Sequence, residues 1–141
     1  MSAGRTLRLR IRLVEPPAGV AFSLQDAKNQ PVDPVTSDGR EVVLEPQVTA
    51  AGEGAALNFT GPFVRRSGAE KHVYFCVGTL AGQHDSPWTR RGKVMLADLP
   101  PELVARALDE GRVLEARFAG KARDGGPACA RMRALDGWRL A

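Results

Sequence analysis

Residues 7–13 read Leu-Arg-Leu-Arg-Ile-Arg-Leu and form the first periodic segment of the chain. Every second residue is aliphatic, and the residues between them are arginines. Because successive side chains of a β-strand point to opposite faces of a sheet, the pattern predicts a half-buried strand with a solvated basic face. A proline pair ends the strand, and the alternation resumes over residues 20–24. We therefore expect a second strand there, paired with the first as a hairpin.

The segments that follow predict further short strands. Residues 41–49 favour a third strand, with Pro46 marking an edge or a bulge. The polar, proline-rich stretch 26–40 before it predicts a loop. Residues 72–77 are apolar on both alternating faces, which is typical of a strand at the centre of a sheet. Residues 93–96 predict one more strand.

The last third of the chain predicts one helix and a terminal hairpin. A proline pair at 100–101 suits a helix start and Gly111 suits its exit, so the helix covers about 101–110. Residues 114–118 and 128–132 alternate around the turn residues 124–127, as the arms of a hairpin do. The fold class is mainly β: a single domain over 1–141, an antiparallel β-sandwich or partly open β-barrel of seven to eight strands with one short helix.

Composition limits the class of protein. Hydrophobic residues make up 43% and charged residues 26% of the 141 residues, which excludes a disordered chain. No apolar run reaches the roughly 18 residues of a membrane span, and the first residues lack a secretory signal. The net charge of +4 is too low for a dedicated nucleic-acid binder. We expect a cytoplasmic protein that binds neither nucleic acid nor membrane.

The chain has few residues suited to metal or redox chemistry. Its two cysteines, Cys76 and Cys129, stand far apart and are interpreted as reduced thiols, although one disulfide stays open. The two histidines are His72 and His84. We expect no metal site and no cofactor.

The segment 78–93 gathers polar, aromatic and cationic residues between two predicted strands, where binding sites are often built. Guanidinium groups bind phosphate and carboxylate through paired hydrogen bonds, so the arginines of this segment favour an anionic ligand. This prediction requires the basic residues near 65–71 to lie at the same end of the sheet. Trp88 is either a stacking platform or a core residue, and residues 85–87 also suit a simple turn. The predicted ligand-binding residues are Trp88, Arg90, Arg91, Arg65 and Ser86.

A catalytic role is a second interpretation of the same segment. His84 followed by Asp85 and Ser86 has the residue types of a hydrolytic triad, but adjacent residues cannot form the required linear hydrogen-bonded chain. His84 as a general acid or base oriented by Asp85 is chemically reasonable, because imidazole titrates near neutral pH. The catalytic candidates are therefore His84 and Asp85.

Several stretches resemble a small bacterial family of unknown function. They are Gly61-Pro62-Phe63-Val64, the aromatic strand at 72–74, the run Ala81-Gly82-Gln83-His84-Asp85-Ser86-Pro87-Trp88-Thr89-Arg90-Arg91, and the ending around 124–138. The resemblance spans most of the chain and implies a free-standing domain. It implies no activity, substrate or catalytic residue.

Three functions follow from the sequence, in order of preference. The first is a binding module for a small polar or anionic ligand. The second is a small acid–base enzyme of the isomerase or lyase type, which needs no further nucleophile. The third is a protein-interaction domain whose basic strand face, at residues 8–12, meets an acidic protein partner.

Overall fold

A computed structural model describes residues 4–16, 18–26, 30–53, 57–66, 73–79, 92–119 and 130–141. The elements within these ranges are β1 (Arg5–Val14), β2 (Ala21–Gln25), β3 (Pro31–Thr36), β4 (Glu41–Leu44), β5 (Gln47–Ala51), β6 (Asn58–Thr60), β7 (Arg65–Arg66), β8 (Val73–Thr79), β9 (Gly92–Met95), a 3₁₀ turn (Leu96–Asp98), α1 (Pro101–Glu110), β10 (Leu114–Ala119), β11 (Ala130–Arg131) and β12 (Arg139–Leu140).

The strands form two six-stranded sheets. In sheet 1 the order is β12–β10–β1–β5–β6, with β4 also beside β1. In sheet 2 the order is β11–β9–β8–β2–β3, with β7 also beside β8. One buried core of residues from both sheets lies between them. The predicted mainly β fold is confirmed, and of the two predicted architectures the sandwich is the one observed, since no barrel closes among the described strands.

β1 lies at the centre of sheet 1 and confirms the strand predicted from residues 7–13. Its four alternating aliphatic side chains are buried, none more than 1% exposed. One edge of β1 pairs with β10, and the other pairs with β5 and then β4. The carbonyl of Pro46, between β4 and β5, accepts a hydrogen bond of 2.9 Å from the backbone N–H of Leu9. The proline thus interrupts the predicted third strand without separating it from β1.

β8 lies at the centre of sheet 2, as its two apolar faces predict. It pairs with β9 on one side and with β2 and β7 on the other. Phe75 and Val77 face the core, and Cys76 between them is also buried, at 1% exposure. All five residues of β2 are buried too, so sheet 2 is covered on both faces at its centre.

The helix α1 has the predicted bounds, Pro101–Glu110. Proline suits the first helical position, because a backbone N–H there would have no partner within the helix. Gly111 ends the helix in the left-handed conformation at φ 65°. Val104 and Ala107 are buried in the core cluster, and α1 contacts β1, β10 and β12. No helix in the described part of the chain has the length and apolar character that crossing a bilayer requires.

Both predicted hairpins are wrong. β1 belongs to sheet 1 and β2 to sheet 2, and β10 and β11 are likewise divided between the sheets. β10 pairs parallel with β1, and β11 pairs parallel with β9, so the sandwich is not purely antiparallel. The predicted count of seven to eight strands is too low, because very short strands such as β7, β11 and β12 have no measurable sequence period.

The predicted loop at 26–40 contains the edge strand β3. Its two prolines, Pro31 and Pro34, hide the strand from a sequence pattern because proline is rare in central strands. At the edge of a sheet proline is tolerated, since the missing N–H removes no ladder hydrogen bond there. β3 pairs on one side with β2, which agrees with that position.

Candidate functional site

Most of the predicted site residues lie outside the residues that the structure describes. They are the catalytic candidates His84 and Asp85 and the binding candidates Ser86, Trp88, Arg90 and Arg91. Cys129 lies outside the described residues as well. Of the predicted ligand-binding set, Arg65 is described, and it lies on β7.

The strand order fixes where the two basic segments attach to sheet 2. Val77 of β8 pairs with Gly92 of β9, so residues 80–91 join β8 and β9 at the end of β8 that follows Val77. Val73 pairs with Arg66, so residues 67–72 join at the opposite end. The two ends of β8 are roughly 20 Å apart at about 3.3 Å per residue. The predicted cluster requires both segments to attach at one end of the sheet. The observed attachment points lie at opposite ends of β8.

Lys93 nevertheless lies near Arg65, because both residues neighbour Tyr74. Arg65 and Tyr74 are directly opposed on β7 and β8, so their side chains share one face of sheet 2. Lys93 pairs with Cys76 on the same face, and its Nζ lies 4.8 Å from the centroid of the Tyr74 ring. An ammonium over a tyrosine ring is a cation–π contact, because the face of the ring is electron-rich. Tyr74 thus has cationic side chains on both of its neighbouring strands.

Arg65 and Arg66 are held in place by oxygen acceptors of other elements. Nη2 of Arg65, which is half-buried, donates to the carbonyl of Asp26. Nη2 of the exposed Arg66 donates to Oδ1 of Asn58 at 2.6 Å and to the carbonyl of Phe59 at 2.9 Å. Asn58 and Phe59 belong to sheet 1, so Arg66 bridges the two sheets.

A pocket of about 570 Å³, here called the basic pocket, opens beside these arginines at the corner where β6 meets β7 and β8. Its lining residues are Phe59, Thr60, Gly61, Val64, Arg65, Arg66 and Tyr74. Two of the seven are arginines and none is acidic. Two arginines and one tyrosine therefore line the pocket, and none of its lining residues has a carboxylate.

The turn that leads into β7 shapes this pocket. The backbone N–H of Val64 donates to the carbonyl of Gly61 at 3.1 Å, which closes a four-residue β-turn with Pro62 at its second position. Gly61 has φ 149°, in a region that favours glycine. The Gly-Pro-Phe-Val stretch quoted above is therefore the turn that carries the chain from sheet 1 to sheet 2.

The basic face predicted for β1 is occupied by ion pairs within the chain. Arg12 makes a two-pronged contact with Glu41, Nε to Oε2 at 3.2 Å and Nη2 to Oε1 at 2.9 Å. Arg10 and Arg12 also lie 3.3 Å and 3.7 Å from Oε2 of Glu115, and Nε of Arg139 lies 2.9 Å from its Oε1. Glu115 is only 5% exposed, so three arginines surround one buried carboxylate.

The pKa of Glu115 reflects this arrangement. Burial by itself raises the pKa of the Glu115 carboxyl, because a charged group is less stable away from water. Hydrogen bonds from Arg139 and Arg10, together with the charges of Arg12 and Arg139, outweigh burial and lower the pKa below its ordinary value. The carboxylate is therefore ionised near neutral pH and stabilises sheet 1.

The sequence did not point to Tyr74 or Glu115. Tyr74 stands alone among apolar neighbours, and its partners come from β7 and β9. Glu115 is one acid in an alternating strand, and its partner Arg10 is 105 residues earlier. The pairing of β1 with β10 brings Glu115 and Arg10 together, and no local sequence pattern encodes that pairing. No group of three potential metal-binding side chains occurs within the described ranges.

Comparison with known proteins gives a family and no activity. Neither the curated proteins nor the solved structures compared with the chain gave a match. A family model described as "Family of unknown function (DUF5990)" matches residues 7–141. The match includes the sandwich strands β2–β12 and the basic pocket, and it confirms the resemblance to a family of unknown function. The chain belongs to the DUF5990 family.

Proposed function

We propose that this protein is a binding module for a small anionic ligand, which it holds in the basic pocket. The observation that carries the proposal is the lining of that pocket, which has two arginines, a tyrosine and no carboxylate. Its volume of about 570 Å³ lies within the range of small-molecule sites.

The contacts of the two arginines support this choice of ligand. A guanidinium has five N–H donors, and the hydrogen bonds of Arg66 to Asn58 and Phe59 use only its Nη2. Those bonds fix the direction of the side chain and leave its other nitrogens for a ligand. A phosphate or carboxylate accepts two parallel hydrogen bonds from such a group. Arg66 is thus a preorganised donor.

Tyr74 lines the same pocket, and Lys93 lies beside Tyr74. The Lys93 ammonium over the ring raises the positive potential on that face of sheet 2. A ligand with an anionic group and a flat body would have both the guanidinium groups and the phenol ring as neighbours. The remaining predicted binding residues, Trp88, Arg90, Arg91 and Ser86, lie outside the described residues, in the segment that leaves β8 at the end opposite to Tyr74, and their binding role stays a prediction.

The other two functional hypotheses have less support. The acid–base pair of His84 and Asp85 remains a prediction that no described contact supports. Docking of an acidic protein on residues 8–12 is disfavoured, because Arg10 and Arg12 are already paired with carboxylates of their own sheet. The binding module is the function that the described residues support best.

Titration of the isotope-labelled full chain with inorganic phosphate, followed by NMR, tests the proposal. We expect backbone amide signals of Thr60, Arg65 and Arg66 to shift in a saturable manner, while sodium chloride at the same ionic strength leaves them in place. Arg66→Gln should weaken phosphate binding about tenfold, the effect of losing one hydrogen bond to a charged group.

Arg40→Gln is the matched control, because the Arg40 side chain is 89% exposed and lies outside the pocket. It should leave the affinity for phosphate unchanged. Equal losses in the two variants would mean that phosphate responds only to net charge, and the proposal would then be wrong. Trp88→Ala and Arg90→Gln extend the same titration to the predicted residues that are not described.

A further inference from the structure

A second cavity lies on the other side of the Gly61–Val64 turn. This inter-sheet cleft has a volume of about 610 Å³ and opens between the edge strand β3 of sheet 2 and strands β4 and β5 of sheet 1. Its floor is aliphatic and aromatic, and includes Val32, Val35, Leu44 and Phe63. Among the described residues, Val35 is one of two large apolar side chains that are exposed, at 38%.

An irregularity in β3 gives the cleft its apolar wall. Val32 pairs with Leu24 and Val35 pairs with Phe22, so three steps along β3 match two steps along β2. In a regular strand, residues three apart lie on opposite faces. One extra residue in β3 brings both valines to the face of β2 that packs into the core. Without this β-bulge only one of the two valines would line the cleft.

Asp33 lies within that bulge and at the cleft. Its φ of 46° is in the left-handed region, which aspartate and asparagine adopt more readily than most residues. Asp33 lines the cleft and makes no ion pair with another described residue. Glu45, the second acid of the lining, lies 3.7 Å from Arg10 but is 61% exposed in its side chain. None of the lining residues is basic, although the whole chain has a net charge of +4.

We propose that the inter-sheet cleft is a second binding site, whose ligand is a small hydrophobic amine in its protonated form. The apolar floor contacts the hydrocarbon body, and the carboxylate of Asp33 at the rim attracts the ammonium group. A binding strand from another protein fits less well, because Pro31 and Pro34 leave gaps in the hydrogen-bond donors of the β3 edge. The inference does not depend on the anion site, since the two cavities share only Gly61 among their lining residues.

Three probes of equal chain length test the charge and the apolar requirement together. They are n-hexylammonium, 1-hexanol and hexanoate, each titrated into the labelled full chain with amide signals followed by NMR. We expect hexylammonium to shift Val32, Asp33, Val35 and Thr49 in a saturable manner. Hexanol should bind about fivefold more weakly, as expected for loss of a partly exposed ion pair, and hexanoate should bind more weakly still.

Two variants identify the groups responsible. Asp33→Asn keeps a residue that tolerates the left-handed conformation, and it should lower the affinity for hexylammonium about fivefold. Val35→Thr should lower it about threefold, because a methyl group of the apolar wall becomes a hydroxyl. Glu53→Gln, an exposed acid outside the cleft, is the control and should have no effect.

The outcomes separate this proposal from the anion site. Hexylammonium should bind Arg66→Gln as it binds the unmodified chain, and phosphate should bind Asp33→Asn as it binds the unmodified chain. Equal affinity for hexanol and hexylammonium would overturn the proposal, because the Asp33 carboxylate would then contribute nothing. So would an equal loss in Asp33→Asn and Glu53→Gln.

Discussion

On sheet 1 the outward-facing arginines Arg10 and Arg12 meet carboxylates of their own sheet, whereas on sheet 2 Arg65 shares a face with Tyr74 and Lys93. The same residue type thus meets side-chain carboxylates in one sheet and, in the other, lines a pocket whose lining residues include no carboxylate. A basic strand therefore indicates a binding surface only after its acidic partners in the fold have been identified.

The largest expected effect concerns the buried carboxylate of sheet 1. Glu115→Gln removes the one negative charge that Arg10, Arg12 and Arg139 share. Breaking a fully buried ion pair costs about 3–5 kcal/mol, and because these arginines are partly exposed we expect a decrease of about 2 kcal/mol in the free energy of unfolding near neutral pH. Urea unfolding followed by circular dichroism measures it.

The same variant has a defined dependence on pH. Since the pKa of Glu115 is lowered by folding, its charge stabilises the fold above the unfolded pKa of about 4.3, and this contribution disappears as the pH falls through the folded pKa. The difference between Glu115→Gln and the unmodified chain should therefore shrink in acid. Asp136→Asn, which removes an exposed ion pair with Arg117, should cost less than about 0.5 kcal/mol. If the difference in free energy of unfolding between Glu115→Gln and the unmodified chain stays constant in acid, the effect comes from packing and not from the charge of Glu115.

A pair of arginine variants compares the two sheets directly. Arg12→Gln should lower the free energy of unfolding by about 1 kcal/mol, because it removes the two-pronged contact with Glu41, and it should leave phosphate binding unchanged. Arg66→Gln should cost about 0.5 kcal/mol, since its hydrogen bonds to Asn58 and Phe59 lie near solvent, yet it should impair phosphate binding.

Urea unfolding and phosphate titration of both variants provide the readouts. The comparison fails if the effects are reversed, that is, if Arg12→Gln weakens phosphate binding more than Arg66→Gln does. In that case the outer face of β1 would be the anion site, and its carboxylates would be the groups that regulate it.

The elements that the sequence predicted correctly are those with a local period. The alternation at 7–13 gives β1, the two apolar faces at 72–77 give β8, and the prolines and glycine around 101–111 give α1. Each depends on side chains a few residues apart, which is the distance over which strand and helix periodicity acts.

The partners of these elements could not be predicted in the same way. The alternation of β1 is compatible with a hairpin to β2 and with a parallel pairing to β10, and the register Ile11 to Ala116 is set by packing of the whole core. Likewise, Arg12 and Arg66 look alike in the sequence, because what distinguishes them is the position of Glu41 and Glu115 in the folded chain. Arg65 is predicted from a local signal, the basic residues at 65–71, and its role in ligand binding stays a prediction.

The smallest expected effect concerns the buried centre of sheet 2. Ser23 on β2 has 0% exposure, and its Oγ has no hydrogen-bond partner in the part of the chain that the structure describes. Removing a buried hydroxyl that lacks a partner relieves its desolvation, so Ser23→Ala should change the free energy of unfolding by no more than about 0.5 kcal/mol, in the stabilising direction.

Ser37→Ala is the matched control for that variant. Ser37 is also buried, but its Oγ accepts a hydrogen bond from the N–H of Gly39 at 3.0 Å and donates one to the carbonyl of Pro16 at 3.4 Å. Its replacement should lower the free energy of unfolding by about 1 kcal/mol. If urea unfolding shows an equal loss for Ser23→Ala, the Ser23 hydroxyl is hydrogen-bonded in solution. The buried face of sheet 2 would then be a satisfied polar network like that of sheet 1, and the contrast between the sheets would be confined to the surroundings of Tyr74.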